Sequence, residues 1–334
     1  FFDAGTLTAD TTVSFTNVPT EARWTYTADV GVISAWDLTA ASYVQSFSVA
    51  SETANPTSIF FKPDGTAMYV IGVTVDKVFE YSLSIAWNIS TASFVKEFYV
   101  GAKETNPTDL FFKPDGTVMY IIGSTGDDVN EYSLSTAWNL STASYVQNFS
   151  IAAQDITPEG LFFKPDGTAM YVVGQTGDSV YEYSLSTAWD ISTTSYVQSF
   201  SVATEEAIPT GLFFKPDGLG MYVVGGASDA VNEYSLSTAW DVSTASYVRN
   251  FSVIAEENSS SGIFFKTGGT AMYVVGTTGD DVNEYSTGAL ASITTPASVQ
   301  NPPSSSFQFG DQVSYTFYTA DAGTTVKLIN EEVL

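Results

Sequence analysis

The segment FFKPDGTAMYV, Phe60 to Val70, returns at Phe111, Phe162, Phe213 and Phe264, each copy 51 residues after the last with no insertion or deletion. A strict period of this length restricts the chain to an architecture that stacks one supersecondary unit on copies of itself. Within each period short apolar runs alternate with polar residues and are separated by Gly, Pro, Asp and Ser, the pattern of strands joined by tight turns. Four strands fit. In the second copy they read DLFFK (Asp109 to Lys113), VMYIIG (Val118 to Gly123), VNEYSL (Val129 to Leu134) and YVQNFSI (Tyr145 to Ile151), here called a, b, c and d. Lys113-Pro114-Asp115-Gly116 predicts a tight a–b hairpin, because Pro presets φ at the second position and Gly takes the left-handed conformation at the fourth. A four-stranded antiparallel unit of about 40–50 residues is a β-propeller blade, which cannot bury its faces without neighbours.

Counting the strands adds a closure rule. Strands a, b and c occur five times, but a strand d follows only the first four sets; the missing one is at the front, where AWDLTAASYVQSFSVA (Ala35 to Ala50) matches AWNLSTASYVQNFSIA (Ala137 to Ala152). The N-terminal strand d is therefore expected to complete the C-terminal blade and remove its open edge. The expected fold is all-β: a five-bladed propeller over 34–288, plus a small β-sandwich made by residues 1–33 and 289–334. The terminal strands are read at TTVSFTNV (Thr11 to Val18), ARWTYTADV (Ala22 to Val30), DQVSYTFYTA (Asp311 to Ala320) and TTVKLINEEV (Thr324 to Val333), separated by turn-rich NPPSSS and ADAG. The chain starts at Phe1 without Met, from which processing or an upstream region is expected.

Over residues 34–286 the repeat resembles the bacterial and viral propellers whose blades carry an SPDG…LYV hairpin, grouped with YVTN-type repeats. That resemblance implies the fold and little about activity, since propellers host many functions. The segment GDQVSYTFYTADAGTTVKLINEEVL resembles the short β-modules of tail-associated and structural proteins of tailed bacteriophages, especially marine ones. It implies a virion or extracellular location and contact with other virion proteins through the terminal module.

Charge and missing residue types narrow the function. The formal charge is −26, from 37 acidic and 11 basic residues, which argues against nucleic acid and anionic membrane surfaces as partners. No run approaches the 18 or so apolar residues of a membrane-spanning helix. There is no cysteine and no histidine, which removes thiolate nucleophiles, the usual general base and the commonest zinc ligand.

Several positions are filled identically in all five units. Met68, Met119, Met170, Met221 and Met272 are read as inter-blade core. Glu80, Glu131, Glu182, Glu233 and Glu284 on strand c, with Lys62, Lys113, Lys164, Lys215 and Lys266 ending strand a, are read as a structural ion-pair ring. Five equal carboxylates do not divide into an acid and a base, and the strands are read as leaving that symmetry unbroken. Tyr81 recurs beside the Glu. Trp36, Trp87, Trp138, Trp189 and Trp240 are read as covering the outer part of the blade core, with a sugar-stacking role as the alternative. The next residue (Asp37, Asn88, Asn139, Asp190 or Asp241) is read as capping a local turn, which also accounts for the Asn-x-Ser sequences at Asn88 and Asn139.

The two faces of the ring differ. The d–a and b–c loops share one face, which is variable and acidic; the a–b and c–d turns share the other, which is nearly invariant. Chain entry and exit fall on the invariant face, placing the terminal module there. Candidate partner-binding residues are Glu52, Glu104, Asp127, Asp128, Asp155, Glu205, Glu206, Glu256, Glu257, Asp280 and Asp281. Loops such as STGDDVN (Ser124 to Asn130) and TTGDDVN (Thr277 to Asn283) supply oxygen ligands of the kind Ca²⁺ takes, without EF-hand spacing, so the metal content stays open and no other cofactor is expected. The functional expectation is a non-enzymatic virion display protein with no catalytic residue, its acidic face meeting a host-surface glycan or protein, with homo-oligomerisation left open. The alternative is a secreted or surface lectin-like propeller. A glycoside hydrolase with paired carboxylates is the third class.

Overall fold

The a–b turn sets each blade. In the second, Lys113 N–H donates to Val118 O (2.9 Å) and Gly116 N–H to Lys113 O (2.7 Å), with Gly116 at φ +73°, so strands a and b leave the turn already paired. The computed structural model describes residues 2–7, 11–15, 23–29, 35–287, 313–317 and 324–331. They fall into two compact units, 1–37 with 288–334, and 38–287.

The larger unit is an all-β, five-bladed propeller of four-stranded antiparallel sheets. In the second blade, strands a to d are Pro107–Phe112, Val118–Gly123, Asp128–Leu134 and Ala143–Ser150, hydrogen-bonded in the order a-b-c-d. The last blade is Ser260–Phe265, Ala271–Gly276 and Asp281–Ser286, completed by Ser42–Ser48 from the front of the chain. Val282 faces Phe47 and Glu284 faces Gln45 across that closure.

Every strand d carries a bulge at one place. In the second blade the register moves from Glu131↔Gln147 to Tyr132↔Tyr145, leaving Val146 without an opposite residue and 48% exposed. A bulge twists an outer edge away from further pairing, a device against edge-to-edge aggregation.

The core lies between blades. All five Met side chains are fully buried. Each of the five repeat Trp residues adopts a positive φ between 66° and 75°, costly for a residue with a Cβ, and the rings of Trp87, Trp138, Trp189 and Trp240 fold back onto the a–b turn. Trp138 N–H donates to Gly116 O (2.9 Å), and the ring lies over Phe112 of its own blade (5.4 Å) and Phe60 of the preceding one (6.4 Å, stacked). The Trp residues thus cover the inner strands at the invariant face, rather than the outer core expected for them. Tyr69 Oη donates to Trp138 O (2.9 Å), and Tyr120, Tyr171 and Tyr273 repeat this latch to the next blade. Asn88, Asn139, Asp190 and Asp241 cap the following 3-10 turn through a side-chain oxygen, as their spacing suggests.

In the terminal unit, Thr324–Glu331 pairs antiparallel with both Phe2–Leu7 and Arg23–Asp29, and Thr11–Phe15 pairs with Val313–Phe317. The two chain ends thus share sheets, and Phe2–Leu7 is a strand not anticipated from the pattern. The NPPSSS and ADAG connections and the boundaries at 33 and 289 lie outside the described residues.

Candidate active site

Five inner strands converge on the propeller axis. Phe60, Phe111, Phe162, Phe213 and Phe264 meet edge to face around it, each ring centroid 5.2–5.5 Å from the next. Edge-to-face contact is the favoured geometry for aromatic pairs, worth about 0.5–1.5 kcal/mol each beyond burial, and the five rings plug the channel. A pocket sits against this plug, lined by Ile59, Leu110, Leu161, Leu212, Ile263, the Phe ring and Asp109. Its cavity volume of about 20 Å³ accommodates a water molecule and nothing much larger.

Aligned, the inner strands read PTSIFF, PTDLFF, PEGLFF, PTGLFF and SSGIFF. The last three columns are uniform in character, but the second and third are not, and they lie on the side of the plug toward the variable face. In the second column, Thr57, Thr108, Thr210 and Ser261 each donate a hydroxyl to the backbone carbonyl of the next blade (Pro107, Pro158, Ser260 and Pro56, at 2.8–3.0 Å). Glu159 replaces that hydroxyl in the third blade. In the third column Asp109 stands among Ser58, Gly160, Gly211 and Gly262. A Cβ on Gly160 would lie 3.1 Å from Gly211 Cα and 3.1 Å from Leu212 N, and one on Gly211 3.2 Å from Ile263 N, so the glycines let adjacent inner strands close up.

Asp109 is buried (7% exposed) and ties three blades together. Its Oδ1 accepts from Ser58 Oγ of the first blade and from Leu110 N–H (2.7 Å), and its Oδ2 accepts from Leu161 N–H of the third blade (2.6 Å). Burial outweighs these three bonds and pushes the carboxyl up to about 7. Glu159, beside it, is pushed up to about 8 by burial and by the Asp155 and Asp109 carboxylates. Both carboxyls are held well above the ordinary carboxylate range, the kind of perturbation that marks a candidate site. The expectation that the strands leave the fivefold symmetry unbroken is thus incorrect: Asp109 and Glu159 break it. The signal was present in the two unequal columns, but attention to the positions shared by all copies passes over it.

The acidic loop residues singled out in the sequence are mostly locks. Glu104, Asp155, Glu206 and Glu257 are 0–1% exposed, which removes them from any surface contact. Glu104 accepts the N–H groups of Asn106 (2.7 Å), Thr125 (3.1 Å) and Gly126 (3.0 Å), pinning the b–c turn to the d–a loop, and Asp155, Glu206 and Glu257 do the same in later blades. Glu52, Glu205 and Glu256 are half-buried and accept from the hydroxyls of Tyr81, Tyr234 and Tyr285 (3.0–3.3 Å). Asp128 is buried and accepts from Asn130 (2.5 Å) and Asn148, and Asp281 accepts from Asn283 (2.7 Å). Asp127 and Asp280 occupy left-handed turn positions, φ +48° and +49°, each with one buried carboxyl oxygen that makes no hydrogen bond. Among the described residues no cluster of three or more ligating side chains is placed to hold a metal ion.

The expected Lys–Glu ring does not form as a ring. Lys62, Lys113 and Lys164 pair with the Asp of their own a–b turn (2.8–2.9 Å), Lys266 lies over the Trp87 ring, and only Lys215 reaches a strand-c carboxylate directly, Glu233 at 3.2 Å. Glu131, Glu182 and Glu284 instead accept from Gln147, Gln198 and Gln45 on strand d (2.7–2.8 Å). Glu80 is pushed up by burial, against the neighbouring Lys96. Strand d sets a Gln directly opposite Glu131, Glu182 and Glu284, so it supplies the partner.

Among known proteins, the chain matches the family described as "Lactonase, 7-bladed beta-propeller" over residues 38–240. No curated protein matches it significantly. Solved structures similar to it include a protein from Bacteroides uniformis provisionally assigned as a 6-phosphogluconolactonase (14% identity, 69% of this chain and 67% of that one, TM-score 0.43). A second, from Bacteroides fragilis, has the same provisional assignment (16% identity, 59% and 55%, TM-score 0.41). A Lactobacillus plantarum protein gives 13% identity over 82% and 74%, with TM-score 0.45. At these values no chemistry is transferred from the three structures. The family match overturns the expectation of a non-enzymatic virion display protein and its lectin-like alternative; nothing in the comparisons concerns phage. With a match across more than half its length and a ring that closes at five blades, the chain belongs to the lactonase family of β-propellers.

Proposed function

We propose that this protein is a lactonase-type hydrolase that opens a cyclic ester at the axial pocket, on the side of the variable loops. The observation that carries the reading is Asp109 lining a water-sized cavity with Glu159 near enough to feel its charge, the two carboxyls that break the ring's symmetry, in a chain of this family. The Phe plug closes the other side, so the substrate ring sits above the pocket with its carbonyl directed down.

Glu159 is pushed up further than Asp109, by burial and by its two carboxylate neighbours, so it is the carboxyl of the pair that keeps the proton when Asp109 is ionised. Asp109 Oδ2 accepts a single hydrogen bond, from Leu161, which leaves it a lone pair for a water proton. The water oxygen adds to the lactone carbonyl carbon as its proton passes to Asp109. The ring C–O bond then breaks, and Glu159 gives its proton to the departing oxygen, yielding the open hydroxy acid. Leu212 N–H and Ile263 N–H are the ring equivalents of the Leu161 N–H that Asp109 holds; Gly160 and Gly211, at the position of Asp109, have no side chain to accept them, and the two N–H groups serve a carbonyl oxygen as it takes up charge.

The test is hydrolysis of uncharged γ- and δ-lactones by purified protein in a pH-stat. Asp109→Asn and Glu159→Gln should each lower kcat by about 100-fold or more, with both variants still folded by circular dichroism. Wild-type turnover no faster than buffer, or variants as active as wild type, would overturn the reading.

A further inference from the structure

Among the described residues, the axial site contains carboxyls and no cation. Of the eleven basic residues, Arg23 and Lys327 belong to the terminal unit. The remaining nine are engaged elsewhere in the propeller. Lys62, Lys113 and Lys164 are held by their own turns; Lys215 and Arg249 both reach Glu233. Lys77 pairs with Glu97 at 2.5 Å and Lys96 donates to Asn139 at 2.8 Å. Lys103 and Lys266 lie over the Tyr145 and Trp87 rings, at 4.0 and 6.0 Å. None of the nine lines the pocket. Asp109 lines it, Asp109 and Asp155 are both close enough to act on Glu159, and the loops above it belong to a chain of net charge −26.

We infer that this site selects an uncharged cyclic ester and rejects one that carries a phosphate or carboxylate. The inference rests on the lactonase reading and names its substrate class. An anionic group on a lactone docked above the pocket would find no positive partner lining it among the described residues and would face the carboxyls of the site. Two like charges roughly 6–8 Å apart at an effective dielectric of about 20 repel enough to cost about 30- to 100-fold in an equilibrium. The same field acts on the product. Ring opening converts a neutral ester into a hydroxy carboxylate, so the site repels what it makes, and product inhibition is weak.

The experiment compares an uncharged aldono-δ-lactone with the same lactone bearing a phosphate monoester, using the full chain at low and high salt. The expected kcat/KM ratio favours the uncharged lactone by about 10- to 100-fold and shrinks as salt screens the repulsion. The hydroxy acid product should inhibit with a constant well above the KM of its lactone. Equal or faster turnover of the phosphorylated lactone overturns the selectivity while leaving the lactonase reading in place. If neither lactone opens, both fall together. A ratio that does not move with salt also overturns the inference, since discrimination would then not be electrostatic.

Discussion

Replacing Asp109 by Asn should remove a pH dependence from the stability of the propeller. In the folded chain this carboxyl moves from an ordinary 3.8 to about 7, with burial as the leading cause. Each pH unit of such a change corresponds to about 1.4 kcal/mol, so ionised Asp109 costs the fold about 4 kcal/mol once the pH exceeds 7. The sign follows from proton uptake. Below pH 4 the carboxyl is protonated in both states and costs nothing. From pH 4 to 7 the folded state holds a proton that the unfolded state has released, and stability falls as pH rises. Asn cannot ionise, and its amide meets the Leu161 N–H less well than a carboxylate does, a fixed penalty of about 1–3 kcal/mol. Relative to wild type, the variant should therefore gain about 4 kcal/mol between pH 4 and pH 8. Losing the Asp109 charge also eases Glu159, which adds to the gain in the same direction. Urea unfolding followed by tryptophan fluorescence across that range measures the difference curve. Wild-type and variant stabilities that run parallel with pH would refute the burial of a charge at this position.

Glu159→Thr should restore the hydroxyl latch that the other four blades make to the next carbonyl. It should raise stability by about 1 kcal/mol at pH 8, in denaturant titration, while abolishing lactone hydrolysis; a variant that is both less stable and still active contradicts the assignment. Gly116→Ala places a Cβ 2.3 Å from the Trp138 ring at φ +73°, whereas Gly226 has nothing within 4 Å. Calorimetry should show a loss of about 2 kcal/mol or more for the first and within about 0.5 kcal/mol for the second. Glu206 accepts three backbone N–H groups, so Glu206→Ala should cost about 3 kcal/mol and quicken amide exchange at Ala227 and Ser228. Glu205→Ala, which loses one tyrosine bond, should cost about 1 kcal/mol.

The amino-acid order by itself determined the ring. The 51-residue period, the Pro-Asp-Gly turns and the count of strands specify blades, their number and the closing strand from Ser42–Ser48, because turn chemistry and alternation act between residues adjacent in sequence, and an identical unit repeated must pack in one way. The tertiary structure decided the site and the fate of the acidic loops. Asp109 owes its raised proton affinity to burial among inner strands that glycines allow to close around it, against the opposing hydrogen bonds from Ser58, 51 residues before it, and Leu161, 52 after it. Glu104 and Glu206 read as surface charges in a variable loop, but the N–H groups of a neighbouring turn require buried acceptors and draw them in. Whether a carboxylate faces water or a backbone donor depends on what the fold brings beside it. The pattern that revealed the fold, five equal copies, is the one from which a site must depart, since identical environments hold identical carboxyls at one pKa and cannot divide an acid from a base.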